Sequence, residues 1–321
     1  MKTLVIGASG YVGRRVVRAF RAAGHEVGGL ARSDAAAAIV REAGGDVIPG
    51  ALDELEAVRP HVVAADCVVL TMMVDFDTEC RAVEMIIDCF AGTNKTLIMT
   101  SGTAVLAKRT EGYWFDGNYG EDEPWDGDEI NRTRMKIEKI VRDGAARDVR
   151  ALVVRPPLIW GHGHAPPFHA LHSSARTGAI CFVGPGLNVF STIHVDDLAD
   201  IFLAAATKGT AGGLYHAVSG EVNFRSLAER VARLRGLDTR SVSGDEINEV
   251  FGPFLGPVVF ASCNRTRCPR TQAELGWKPN PDRLDIYGEL AHPAFMAIDA
   301  SGEAQAHFGL AEVLKDGRKR D

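Results

Sequence analysis

Gly7-Ala8-Ser9-Gly10-Tyr11-Val12-Gly13 follows a short apolar run at 3–6 and opens a stretch of helical period at 12–23. In that stretch Val12, Val16, Val17 and Phe20 share one side, Arg14, Arg15, Arg18 and Arg21 take the other as a solvated face, and Gly24 ends it. A strand, a glycine turn and a helix in this order put the glycines where the backbone turns tightly and where a pyrophosphate can approach a helix N-terminus. Glycine spacing alone would mean only a tight turn. The context turns it into a dinucleotide-binding reading.

The second strand-like run, 26–30, ends in Ala31-Arg32-Ser33. An Asp or Glu at this point would hydrogen-bond the ribose of NAD. A cation stands there instead, and Arg32 with Ser33 suits a 2′-phosphate through charge-assisted bonds, so the expected cofactor is NADP(H). An exposed surface arginine is the plainer reading. Ser9, Tyr11 and Val12 in the turn, Leu52 and Thr71 after the third and fourth strands, and Pro156 and Ile159 further on complete the expected cofactor wall.

Apolar runs rich in Val, Ile and Leu keep alternating with helical stretches: 34–43, 67–71, 78–90, 96–100, 128–146 and 150–154. This alternation predicts an α/β protein with a doubly wound parallel sheet. Residues 1–160 form the expected nucleotide domain, with 190–220 returning to it. Residues 161–321 supply mainly a smaller α/β substrate lobe.

With 36 basic and 42 acidic residues the net charge is −6, so no positive field draws the chain to nucleic acid or anionic lipid. The six cysteines form no CxxC pair and mostly sit in apolar runs, which suits a reducing compartment. No signal core and no unbroken apolar run of membrane-spanning length is present, so a cytoplasmic protein acting on a small molecule is expected.

Four further segments stand in order: Thr96-Leu97-Ile98-Met99-Thr100-Ser101-Gly102-Thr103, Val154-Arg155-Pro156-Pro157-Leu158-Ile159-Trp160-Gly161, Thr192-Ile193-His194-Val195-Asp196-Asp197-Leu198-Ala199 and Glu274-Leu275-Gly276-Trp277-Lys278-Pro279. Together with the glycine turn they resemble the extended short-chain dehydrogenase/reductase family, which includes nucleotide-sugar epimerases and related dehydratases. The resemblance runs to about residue 285. It implies a Rossmann-type sheet, a catalytic Ser or Thr after the 96–100 strand, and a YxxxK helix at 129–138. In that family the tyrosine moves the proton and the lysine holds the nicotinamide ribose.

This chain departs from that pattern. Lys136 fits the lysine, but Arg132 stands four residues before it, and a guanidinium is no general acid. By register with Val105 the catalytic hydroxyl falls on Gly102, leaving Ser101 or Thr103 as neighbours. Arg132 could polarise a carbonyl while water, Tyr113 or Tyr119 supplies the proton. The reaction could instead need no protein acid, as in hydride addition to an iminium or conjugated bond. Or the chain could bind NADP(H) without turnover, as a redox sensor like the NmrA-like members. Epimerase or lyase chemistry with transient cofactor oxidation fits Arg32 less well, since such enzymes usually keep NAD.

Other groupings have bland and functional readings. His162, His164, His169 and His172 lack the carboxylate or cysteine pair of a metal shell, so no metal is expected; they suit a pocket wall or an exposed loop. Asp196 or Asp197 reads as a helix cap. Asp75 and Asp77 lie in a loop that could face substrate or solvent. Residues 252–260 are apolar, as a lid or as buried core. The apolar stripes at 78–90 and 128–146 imply, through the resemblance, a homodimer; core packing alone also accounts for them.

Overall fold

The computed structural model describes residues 1–124 and 129–298, for 129–132 the backbone alone. β1 (Lys2–Ile6), α1 (Tyr11–Ala22), β2 (Glu26–Ala31), α2 (Asp34–Glu42), β3 (Asp46–Pro49), α3 (Leu55–Ala64), β4 (Cys67–Leu70), α4 (Phe76–Phe90) and β5 (Thr96–Thr100) alternate without exception. After them come β6 (Lys108–Arg109), α5 (Glu129–Asp143), β7 (Arg150–Arg155), β8 (Leu158–Trp160), α6 (Pro166–Ser173), β9 (Ile180–Val183), β10 (Val189–His194), α7 (Val195–Lys208) and β11 (Leu214–His216). β12 (Gly220–Asn223), α8 (Phe224–Arg235), β13 (Thr239–Val242), α9 (Glu246–Phe251), β14 (Ser262–Cys263) and α10 (Pro269–Leu275) follow.

The central sheet has seven strands in the order β11-β7-β5-β4-β1-β2-β3, every pair parallel. Parallel strands must be covered on both faces. The two-residue period of a strand does this directly: Val5 and Ile98 face a core shared with α1, α2 and α7, through Val16, Phe20, Val40 and Phe202. Leu4, Ile6, Leu97 and Met99 face the opposite core, with Val62, Ile86, Phe90, Ile137 and Val141. The chain winds outward from β1 in both directions, so a crevice opens at the carboxyl ends of β1 and β4, where ligands bind in such sheets.

The second lobe mixes its origins. A three-stranded sheet β12-β10-β8 and the pairs β13-β9 and β14-β6 surround a core of Phe168, Phe190, Phe224, Phe251 and Phe260. β6 comes from before residue 160, whereas α7, β11, Leu275 and Trp277 pack with the first domain. The stretch 252–260 ends in a π-helical turn whose Val259 and Phe260 are buried, Phe260 stacking on Phe251 with ring centres 3.9 Å apart. That end is core rather than lid. No described helix is long and apolar enough to cross a membrane.

Candidate active site

The glycine turn is built by steric necessity. Gly7 has φ +92°, and a Cβ on it would lie 2.7 Å from the Met72 amide nitrogen. A Cβ on Gly13 would lie 2.1 Å from the Gly7 carbonyl oxygen. Gly10 N–H donates to that same oxygen at 2.9 Å and ends the turn. α1 then starts at Tyr11 with no side-chain cap, leaving its first amides free for an anion. The cradle fits the pyrophosphate of a dinucleotide, and a Cβ at Gly7 or Gly13 would force the turn apart by colliding with the backbone of Met72 or of Gly7 itself. Thr71 Oγ1 donates to the Ile6 carbonyl at 3.1 Å beside this turn. Ser9 and Val12 are half-buried at its edge.

Tyr11 reaches away from the turn. Its hydroxyl donates to the Gly161 carbonyl at 2.8 Å, its ring lies 4.1 Å from that of His164, and burial pushes its phenol pKa up. It ties α1 to the segment that leaves β8.

At the end of β2, Arg32 is exposed and engages no other described residue. The Ser33 hydroxyl accepts the Ala36 amide at 3.2 Å and so caps α2, which leaves its own hydrogen free to donate. A cation, a hydroxyl donor and a helix start thus face solvent together. Leu52 does not join them: it is buried with Leu30 and Val58 in the core, because the β3–α3 turn folds it inward. On the other side of the crevice Pro156 is buried, its carbonyl accepting from Thr103 N–H at 2.9 Å, and half-buried Ile159 packs against the first core.

The catalytic positions expected from the sequence are rearranged. Lys136 is exposed. The base of α5 that reaches the end of β5 is Arg134, two residues earlier and about 200° around the helix. Its guanidinium bonds the Glu79 carboxylate and the Thr100 carbonyl, and its Nε donates to Ser101 Oγ at 3.4 Å. Glu79 is buried, which raises its carboxyl pKa against the pull of Arg134. The residue four before Arg134 is Ile130, so neither register supplies a tyrosine. The Arg132 side chain lies outside the described residues.

Neither neighbouring hydroxyl is free for a substrate. Ser101 donates to Glu138, whose carboxylate is also held by Arg155. Thr103 is fully buried, its hydroxyl on Asn264 Oδ1 at 3.0 Å and its carbonyl accepting from Asn264 Nδ2 at 2.7 Å. Gly102 between them is extended, and a Cβ there would meet only ordinary contacts, the Pro156 carbonyl oxygen at 3.7 Å and the Ala104 amide nitrogen at 3.9 Å. Space for a serine exists and the hydroxyl is simply missing. Tyr113 is 62% exposed, unlike an acid shielded beside a hydride path. Tyr119 is half-buried, bridged to Thr266 with backbone bonds to Arg265 and Arg267, and burial raises its pKa.

The chain Glu79–Arg134–Ser101–Glu138–Arg155, buried at both ends and half-buried at Arg134 and Ser101, was not singled out from sequence. Its one local signal is the Arg134/Glu138 spacing, which puts both on one helix face. Arg155 Nη1 approaches His216 Nε2 at 3.5 Å, and burial lowers the pKa of that histidine to about 4.

The histidine loop meets the start of α7. His162 Nε2 lies 2.8 Å from Asp196 Oδ2, and His194 Nδ1 accepts the Asp196 amide at 3.2 Å. His194 is therefore the helix cap, where Asp196 or Asp197 was expected. Asp197 is instead buried and bonded by Arg283 at 2.8 Å. Donor atoms of His162, His194 and Asp196 lie within 4.8 Å of one another, a spacing open to a metal ion. Arg15 stands 3.7 Å from the remaining Asp196 oxygen, and the positive helix start opposes a cation there. Asp75 caps α4 through the Thr78 amide at 2.9 Å, so its carboxylate serves the helix start.

Comparison with known proteins agrees with this geometry. The model of the "NAD dependent epimerase/dehydratase family" matches residues 3–218. An uncharacterised protein of Schizosaccharomyces pombe is 34% identical over 301 residues, covering 88% of this chain and 97% of that one. A 4-hydroxy-2-methyl-3-oxo-4-farnesyl-3,4-dihydroquinoline-1-oxide ketoreductase of Stigmatella aurantiaca is 28% identical over 254 residues, 74% of each chain. The solved UDP-glucuronic acid 4-epimerase of Bacillus cereus, in complex with UDP-glucuronic acid and NAD, superposes with a TM-score of 0.70 at 14% identity, over 93% of this chain and 99% of that one. This chain belongs to the NAD dependent epimerase/dehydratase family.

Proposed function

We propose that the protein is an oxidoreductase that transfers a hydride from NADPH to a carbonyl, or to a conjugated or imine double bond, of a small organic molecule. The observation that carries this reading is the pairing of the uncapped α1 start at Gly7–Gly13 with the unengaged Arg32 and the free Ser33 hydrogen at the end of β2. The first would hold the pyrophosphate and the second the 2′-phosphate. A bound reduced nicotinamide supplies the hydride. Pro156 and Ile159 would wall its ring, and Thr71 and Gly102 would face it from the ends of β4 and β5. The ketoreductase relative and a 29% identical 2-alkyl-3-oxoalkanoate reductase of Stenotrophomonas maltophilia support a carbonyl substrate.

A second reading, a non-catalytic NADP(H)-responsive regulator, draws on Gly102 and Ile130 at the hydroxyl and tyrosine positions. The two are separated by incubating the protein with 4-deuterated NADPH, separately in each stereochemical form, together with a small-molecule extract and ethyl 2-methylacetoacetate. Deuterium in a product, read by mass spectrometry, supports the oxidoreductase. NADPH binding with no labelled product from either form supports the regulator.

A further inference from the structure

Arg134 has five N–H donors, and three of them are engaged, on Glu79, Thr100 and Ser101. Its side chain keeps 30% exposure although its anchor Glu79 is almost wholly enclosed. The guanidinium is thus clamped from behind by a buried carboxylate and a backbone carbonyl, while two N–H groups have no partner among the described residues. The clamp sits at the carboxyl end of β5. Thr100 Oγ1 donates to the Leu70 carbonyl at 2.6 Å and Ser101 N–H to the Val154 carbonyl at 2.8 Å, so the β4, β5 and β7 ends are locked together around it. A surface ion pair would be loose and of little consequence. This one is preorganised, which is what stabilising a developing charge requires.

We propose that Arg134 is the electrophile of the reaction, hydrogen-bonding the substrate oxygen through its two free N–H groups, and that Glu79 is the residue that positions it. The proposal rests on the hydride-transfer reading above. In the step, the C4–H bond of the dihydronicotinamide breaks with its electron pair, which forms a C–H bond at the substrate carbonyl carbon. The carbonyl π pair moves to oxygen, the guanidinium stabilises the oxyanion, and a water molecule then protonates it. Neither a tyrosine nor a serine hydroxyl is needed. The charged and titratable described groups beside Arg134 are Glu79 and Cys80 of α4, with Glu138 of α5 reached through Ser101.

The test uses the full chain, 4-deuterated NADPH and the carbonyl probe or labelled acceptor found above. Arg134→Ala should lower kcat by about 10²–10³-fold, keep NADPH affinity by fluorescence titration within twofold, and regain activity with guanidinium chloride but not with equal sodium chloride. Arg134→Lys, which keeps a cation to clamp α4 and α5 if the alanine variant misfolds, should retain partial activity and acquire an alkaline limb as the ammonium deprotonates. Glu79→Gln should lower kcat more than it raises KM. Wild-type transfer of deuterium that persists undiminished in Arg134→Ala, or an Arg134→Lys profile superposable on wild type, overturns the role of Arg134 alone. No transfer by the wild type to any acceptor overturns the hydride-transfer reading, and this assignment falls with it.

Discussion

Arg155 Nε donates to Glu138 Oε1 at 2.9 Å, its Nη2 bonds the other carboxylate oxygen, and both side chains are at most 6% exposed. This fork joins the end of β7 to the middle of α5, and Ser101, just after β5, donates to the same carboxylate. Removing one partner strands the other charge in the interior. Glu138→Gln should therefore cost about 3–5 kcal/mol in denaturant unfolding, and Arg155→Met a similar amount. A double Glu138→Leu/Arg155→Met variant should lose clearly less than the sum of the singles. Additive losses would mean that the two charges do not depend on each other.

Gly13 is a stringent test of the nucleotide cradle. A methyl group there would overlap the Gly7 carbonyl at 2.1 Å, and backbone cannot swing aside as a flexible side chain can. Gly13→Ala should abolish NADPH binding in fluorescence titration and lower the melting temperature. Unchanged affinity would place the dinucleotide elsewhere.

Gly102 is the counterexample. Its backbone is extended and its surroundings are open, so Gly102→Ser should fold with a stability change within about 1 kcal/mol, tending upward as the unfolded chain loses freedom. Thermal denaturation reads this directly. A loss of several kcal/mol would show that the site does require glycine.

Arg32→Asp should weaken NADPH by about 10–100-fold, the value of a lost charge-assisted bond, while leaving NADH within a fewfold. Equal losses for both cofactors in parallel titrations would remove Arg32 from the phosphate site.

The contrast among these residues shows what the sequence can disclose. Gly13 is legible because the atom that excludes a side chain there, the Gly7 carbonyl oxygen, belongs to the same turn, whereas the Met72 amide that crowds Gly7 comes from just past the distant end of β4 and only the motif betrays it. The sheet is legible because alternation and burial on two faces are one fact. Arg134 and Lys136 look interchangeable in one dimension, both basic and both near the expected spacing. Only the packing of α5 against β5 and α4 shows that Arg134 bonds Glu79 and Thr100 while Lys136 faces solvent, since two residues turn a helix through more than half a circle. Thr103 misleads in the same way, because the partner that occupies its hydroxyl, Asn264, is 161 residues away.

Buried histidines give the fold an acid limit. His216 is fully enclosed, its Nδ1 set against the Arg267 carbonyl at 3.0 Å, which places the proton on Nδ1 and leaves Nε2 as an acceptor toward the Arg155 guanidinium. His172, equally enclosed, accepts from Arg235 Nε at 3.0 Å. A second proton on either ring would meet an arginine, although burial is the larger cause that lowers both pKa values to about 4. The unfolded chain takes up these protons near pH 6.5 and the folded chain only near 4, so stability is full above 6.5 and falls as pH drops through that window. The loss at pH 4 is on the order of 3 kcal/mol for each ring. Melting temperatures taken from pH 7 to pH 4 should decline throughout, and His172→Gln, which cannot be protonated, should flatten the decline even if it lowers the value at pH 7. A slope identical to wild type would mean that His172 binds its proton equally well in the folded and unfolded chain.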